Sequence, residues 1–180
     1  MHPDIDRILI STTELNARVQ ALGAAITAAT RGIDHLLLVG VLKGSVLFLA
    51  DLIRAIDRPV AIDFIAVSSY GASTVSSGVV RLNKDLDSDI TGRHVVLVED
   101  IVDSGLTLSY VVDLLKRRNP AGVTVCALLN KPDRHQVDLA LEYVGFNVPN
   151  EFVVGYGLDY AEQYRNLPYI GVLKPHVYGC

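Results

Sequence analysis

The sequence predicts an α/β fold, a central parallel sheet flanked by helices. Three observations carry this. The almost wholly apolar runs at residues 35–42, 95–99 and 124–129 have the length and make-up of strands buried on both faces. Stretches with helical spacing of apolar residues lie between them, and strands alternating with helices build parallel sheets covered on both sides. Polar, glycine-bearing turns follow the apolar runs, where open parallel sheets collect their ligands. At 180 residues the chain is the size of one domain, so residues 1–180 are expected to form a single unit.

Each element has a local reason. Ser11 and Glu14 match a helix capping box, and Leu15, Val19, Leu22 and Ile26 follow at helical spacing, which predicts a helix to about Thr30. The run 35–42 is the first strand of the alternating pattern; Lys43-Gly44-Ser45 makes a tight turn into a helix over 46–56, which Pro59 follows. Residues 60–67 read as a strand. The Ser- and Gly-rich stretch 68–78 reads as a mobile loop of lid character, and 79–86 as a return strand. Residues 95–99 and 124–129 are buried strands on either side of a helix over 106–118, whose basic end Lys116-Arg117-Arg118 suits a solvated helix terminus.

Composition excludes several classes. Half the residues are hydrophobic and a fifth are charged, so the chain has a core and is not disordered. The net charge of −4 argues against a protein that coats nucleic acid. Mean hydropathy is high, at +0.33, yet the most apolar stretch, 36–50, is interrupted by Lys43 and falls short of the roughly 20 apolar residues of a membrane span. With no signal-like start and only Cys126 and Cys180 as cysteines, the expected address is the cytosol. The histidines show no zinc spacing, no GxxxxGK[ST] loop is present, and Gly155-Tyr156-Gly157 lacks the third glycine of a dinucleotide fingerprint.

Chemistry concentrates in residues 95–107. Four apolar residues deliver Glu99 and Asp100 to a strand end; Asp103 follows three residues later, and Ser104, Gly105, Leu106 and Thr107 open a helix. Backbone N–H groups at such a helix start, with the Ser and Thr hydroxyls, suit a phosphate. Acids beside an anion site fit a ligand that also brings sugar hydroxyls and a divalent cation, and hard carboxylate oxygens suit Mg²⁺.

The whole segment Val95-Val96-Leu97-Val98-Glu99-Asp100-Ile101-Val102-Asp103-Ser104-Gly105-Leu106-Thr107 resembles the phosphoribosyl-pyrophosphate (PRPP) signature of the type I phosphoribosyltransferases, with Ser104 where Thr is usual. Over nearly its full length the chain is similar to the hypoxanthine-guanine branch. The resemblance implies a small hood and a flexible catalytic loop added to the parallel-sheet core. It makes Leu42-Lys43-Gly44 the pyrophosphate loop, with an unusual cis peptide before the lysine, and Ser69-Tyr70 the start of the catalytic loop. It makes Lys131, in Leu129-Asn130-Lys131-Pro132, the purine-reading lysine, and the segment from Phe152 through Asp159 to Arg165 the base-stacking and pyrophosphate segment.

The implied reaction moves ribose 5-phosphate from PRPP to N9 of hypoxanthine or guanine, giving IMP or GMP and pyrophosphate. Asp103 is then the acid/base near N7. Glu99 and Asp100 meet the ribose hydroxyls or metal, and residues 103–107 hold the 5-phosphate. Lys43, Gly44, Ser69, Tyr70 and Arg165 meet pyrophosphate. Lys131 donates to O6, Phe152 stacks, the Val153 carbonyl accepts from N1–H, and Asp159 joins Glu99 and Asp100 as a metal residue or meets the guanine amino group. A homo-oligomer, dimer or tetramer, is expected, with no membrane or nucleic-acid partner. The competing readings are an RNA-binding regulator that keeps the signature, disfavoured by the net charge, and a transferase for another base.

Overall fold

The computed structural model describes residues 1–69 and 80–179. The stretch 70–79, which includes Tyr70 and most of the expected lid, lies outside the described residues, as does the side chain of Ser69. The elements are β1 (Ile5–Ile10), α1 (Thr12–Ala29), β2 (Leu37–Leu42), α2 (Val46–Ala55), β3 (Ala61–Ser69), β4 (Val80–Lys84), β5 (His94–Val102), α3 (Leu106–Lys116), β6 (Gly122–Asn130), β7 (Tyr143–Asn147), β8 (Val153–Val154), β9 (Ile170–Leu173) and the single-turn α4 (Pro175–Tyr178).

Six strands form the main sheet in the order β4-β3-β2-β5-β6-β7. All neighbours pair in parallel except β4, which returns antiparallel along β3 at the edge. The central strands are buried on both sides, and their residues alternate between two cores. Leu38, Val96, Val98, Cys126 and Leu128 face α1 and α2, whereas Leu37, Val39, Val95, Leu97, Val125 and Ala127 face α3. The period of two is that of the pleated strand.

The capping box is present at α1: the Glu14 N–H donates to Ser11 Oγ at 3.3 Å and the Ser11 N–H to Glu14 Oε2 at 2.8 Å. Leu15, Val19, Leu22 and Ile26 bury on one face. Gly23 lets α1 approach α2, because a Cβ there would lie 2.5 Å from Ala55 Cβ.

A second, three-stranded sheet, β1-β9-β8, is antiparallel and ties the two ends of the chain together, with Ile5 opposite Leu173 and Val153 opposite Val172. Ile5, Val154, Tyr164, Tyr169 and Leu173 bury a separate small core there. None of its strands, nor β7, is marked by a long apolar run. Among the described residues no helix is long and apolar enough to cross a membrane.

Candidate active site

The carboxyl ends of β2, β5 and β6 point to one end of the main sheet, and three adjoining cavities open there. The middle one, about 190 Å³, is lined by Glu99, Asp103, Ser104, Gly105 and Thr107 among others. β5 runs past the acidic pair to Val102, so Glu99 and Asp100 belong to the strand itself. Gly105 caps α3 with φ 80°, a left-handed conformation that favours glycine, and the Leu106 N–H reaches Ser104 Oγ at 3.4 Å. A Cβ on Gly105 would also lie 2.6 Å from Leu139 Cδ1. The helix start therefore offers backbone N–H groups and the Ser104 and Thr107 hydroxyls to one small volume.

The second cavity, about 340 Å³, shares Glu99 and Thr107 with the first and adds Lys43, Gly44, Asp100, Leu158, Asp159 and Arg165. The Leu42–Lys43 peptide is cis. Gly44 is pressed against Asp100 so closely that a Cβ would lie 1.6 Å from its Oδ2. From the other side, a Cβ on Gly157, at φ 103°, would lie 2.1 Å from the Gly44 carbonyl oxygen. Arg165 donates to the Gly157 carbonyl at 2.7 Å and pairs with Asp159 at 2.8 Å, while its Nε is buried with no partner among the described residues. Lys43 reaches Glu162 at 3.0 Å.

Burial pushes the Glu99 carboxyl well above its ordinary range, and the neighbouring Asp100 adds to the rise. Burial also raises Asp100, opposed by the Ile101 N–H that donates to it at 2.8 Å. Two hard carboxylates held close in this way suit a divalent cation. Glu99, Asp100 and Asp159 line one cavity without closing as a ligand group: among the described residues no three acidic, His or Cys side chains are grouped to hold a metal, and Asp159 is engaged by Arg165. That donor set fits Mg²⁺, which binds through one or two carboxylates plus substrate phosphates and keeps several waters.

The third cavity, about 430 Å³, shares Asp103 with the first and is walled by Lys131, Arg134, Phe152, Glu151 and Tyr178. Lys131 is buried at 7% exposure and its ammonium meets Asp103 Oδ2 at 3.4 Å. Its backbone N–H continues the sheet by donating to the Val102 carbonyl at 2.9 Å. Behind it, Asn130 donates to Asn147 at 2.9 Å, and His135 Nε2 lies 2.7 Å from the Asn130 side-chain oxygen. An amide oxygen accepts, so this contact is a hydrogen bond in the tautomer of His135 protonated on Nε2.

Phe152 stacks on Tyr178, ring centres 4.8 Å apart and planes 23° from parallel, and meets Tyr160 edge-on at 5.5 Å. The Phe152 carbonyl accepts from the Leu173 N–H of β9 at 2.8 Å. Alternation in an antiparallel ladder then turns the N–H and C=O of Val153 to the open edge of β8.

Burial pushes Asp103 upward, but Arg134 and Lys131 outweigh it and hold this carboxyl below its usual range. Arg134 has no place among the residues expected from the sequence, yet a signal for it exists. Pro132–Arg134 is a 3₁₀ turn, and residues three apart in such a turn lie on the same side, so Lys131 brings Arg134 with it. Tyr178 is equally unmarked, because it reaches the site from the other end of the chain through non-local pairing, whereas Gly157 and Leu158 fall within the expected segment from Phe152 to Arg165 without a role of their own. Ser69 ends β3 by its backbone, and Tyr70 lies outside the described residues.

Residues 11–161 match the phosphoribosyl transferase domain family. The chain is 53% identical to the hypoxanthine-guanine phosphoribosyltransferase of Bacillus subtilis over 178 residues, covering 99% of this chain and 98% of that one. It is 54% identical to the bifunctional protein TilS/HprT of Listeria innocua over 99% of its own length, but spans only 27% of that longer protein. A hypoxanthine phosphoribosyltransferase structure from Staphylococcus aureus superposes with a TM-score of 0.96 at 46% identity, covering 100% of this chain and 97% of the other.

Proposed function

The chain belongs to the phosphoribosyl transferase family, and from that premise we propose that it is a purine-salvage transferase. It moves the 5-phosphoribosyl group of PRPP to N9 of hypoxanthine or guanine, yielding IMP or GMP and pyrophosphate. The observation that carries the base class is Lys131. A buried ammonium beside Asp103, in a cavity walled by Phe152, has donors to spare for an acceptor such as O6, and a 6-amino group cannot accept from it.

The three cavities correspond to three parts of the reaction. Ser104, Thr107 and the backbone from Gly105 to Thr107 hold the 5-phosphate at the start of α3. Gly44, Lys43 and Arg165 hold the pyrophosphate, and the Arg165 Nε, without a partner among the described residues, adds a donor there. Glu99 and Asp100, with Asp159 nearby, are the residues to hold Mg²⁺, which when bound supplies positive charge against the departing pyrophosphate. Glu99 and Asp100 also meet the ribose hydroxyls. These groups are oriented before reaction, so they stabilise charge as the C1–oxygen bond breaks without having to reorganise.

On the base side, Phe152 offers a stacking face and the outward Val153 carbonyl accepts from N1–H. Asp103 takes the N7 proton as N9 bonds to C1. Its depressed proton affinity keeps it ionised and ready to accept. Ser69 and Tyr70 belong to the segment that would shield the reacting centre from water. Residues 1–180 act as one catalytic unit of a homo-oligomer in the cytosol, where the thiol of Cys126 remains buried and free.

A spectrophotometric screen of purines and pyrimidines with PRPP and Mg²⁺ tests the reading. Consumption of hypoxanthine or guanine is expected. Consumption of adenine, orotate or uracil in their place overturns it.

A further inference from the structure

The purine side of the trough contains a charged side chain to which the reaction above gives no task. Arg134 ends the 3₁₀ turn Pro132–Arg134 and points its Nε at Asp103 Oδ1, 3.0 Å away. Lys131 holds the other oxygen, Oδ2, at 3.4 Å. Asp103 thus has its two oxygens assigned to two different cations. The cations differ in setting: the Lys131 side chain is 9% exposed, whereas that of Arg134 is 47% exposed.

The turn that carries Arg134 is fixed to the same backbone that carries Asp103. The Arg134 N–H donates to the Lys131 carbonyl at 3.0 Å, the Lys131 N–H to Val102 at 2.9 Å, and the Gln136 N–H to Ser104 at 2.9 Å. Val137 and Leu139 then pack on Gly105. The guanidinium therefore approaches Asp103 from a support braced on both sides of it. Other charges around the cavity are committed elsewhere. Arg7 of β1 pairs with Glu151 and lies 3.5 Å from Asp6, and Glu99, which lines the phosphate cavity together with Asp103, adjoins Asp100 on β5.

When a 6-oxopurine draws the Lys131 ammonium to O6, one of the two holds on Asp103 is weakened. Arg134 keeps the other. We infer that Arg134 is a positioning residue for the transfer: it fixes Asp103 through Oδ1 so that Oδ2 stays directed at the purine after Lys131 has turned to the base. This rests on the proposed role of Asp103. An exposed ion pair contributes little to stability, so the effect is to be sought in turnover and not in folding.

The test compares wild type, Arg134→Gln and Arg134→Lys by the dependence of kcat on pH at saturating Mg²⁺-PRPP and hypoxanthine. Removing a cation raises the proton affinity of Asp103, so the acid limb, where its base form is lost, moves to higher pH in Arg134→Gln, by about one unit. Its kcat falls on the order of tenfold, part of the worth of a general base, while KM for PRPP changes by less than about twofold. Arg134→Lys returns the limb to its wild-type position and recovers only part of kcat, because the charge is restored without the Nε geometry. The limb is read over the pH range in which circular dichroism shows each variant folded, where its position does not depend on the amount of active protein. An unmoved limb, or a rise in KM for PRPP with an unmoved limb, overturns the inference while wild-type turnover leaves the function standing. A wild type inactive on every base overturns both.

Discussion

Asp100 and Asp103 are the same residue type three positions apart, and the protein treats them oppositely. Asp100 lies at the end of the trough built from Gly44, Glu99, Asp159 and Arg165, where burial raises its carboxyl toward the neutral form. Asp103 lies at the other end, where Arg134 and Lys131 lower it despite burial. At one end two neighbouring acids, Glu99 and Asp100, share a buried site; at the other two cations, Lys131 and Arg134, hold one acid, Asp103. In the proposed reaction a polyphosphate with Mg²⁺ would meet the first, and a neutral base with an O6 acceptor the second.

Chelation breaks the comparison most completely. If the acidic end completes itself with Mg²⁺ brought with PRPP, turnover falls to background in excess chelator and returns on adding Mg²⁺. Full turnover without divalent ions would show that Glu99 and Asp100 serve the ribose alone. Next in size is Asp103→Asn, which keeps the shape of the basic end and removes its proton acceptor. The expected loss of kcat is on the order of 10² to 10⁴ with the PRPP dissociation constant retained. Loss of PRPP affinity with kcat preserved would make Asp103 a binding residue.

Gly44→Ala sharpens the opposite end. A methyl group 1.6 Å from Asp100 Oδ2 cannot be housed without moving the loop or the acid, and a displacement of about 1 Å in a positioning group costs on the order of 10² in kcat/KM. The loss should appear with PRPP as the varied substrate and leave the purine KM nearly unchanged. Lys131→Ala is expected to do the reverse with a smaller effect, about 10- to 100-fold in kcat/KM for hypoxanthine, the worth of a charge-assisted hydrogen bond.

The two ends also differ in how much of them could be read from the chain. Asp103 and the phosphate turn stand in one continuous segment, and the apolar run before them is itself the evidence for β5. The alternating core and the α1 cap are similarly local, since a strand period or a capping box is written in neighbouring residues. The closure of the pyrophosphate end is not local. Gly44 meets Asp100 because β2 and β5 are sheet neighbours, but that it also lies under Gly157 depends on the small antiparallel sheet, whose strands β1 and β9 pair residues far apart in the chain, Ile5 with Leu173. No periodicity in a six-residue strand such as Ile5–Ile10 announces that partner. Arg134 falls between the two cases, since its spacing from Lys131 was visible but only the 3₁₀ turn gave that spacing a direction.

The smallest effect concerns stability, and there the two aspartates should differ in sign. Measured by thermal unfolding without metal or ligand at neutral pH, Asp100→Asn removes a carboxylate whose folded proton affinity is raised by burial, so it relieves that desolvation and raises Tm. Asp103→Asn removes one whose proton affinity is lowered by two cations, so it lowers Tm. Each change is of the order of 1 kcal/mol, smaller for the half-exposed Asp103 because solvent screens its pairs, which in a chain of this size is about 2–4 °C. The pH dependence follows from linkage. The penalty at Asp100 is absent below its unfolded value and grows as pH rises through its folded one, whereas the stabilisation at Asp103 is present above its unfolded value and is lost as pH falls through its folded one. Both differences from wild type should therefore shrink as the pH is lowered. Shifts of the same sign at neutral pH would mean that the surroundings of the two residues are electrostatically alike and that the division of the trough into an acidic and a basic end is wrong.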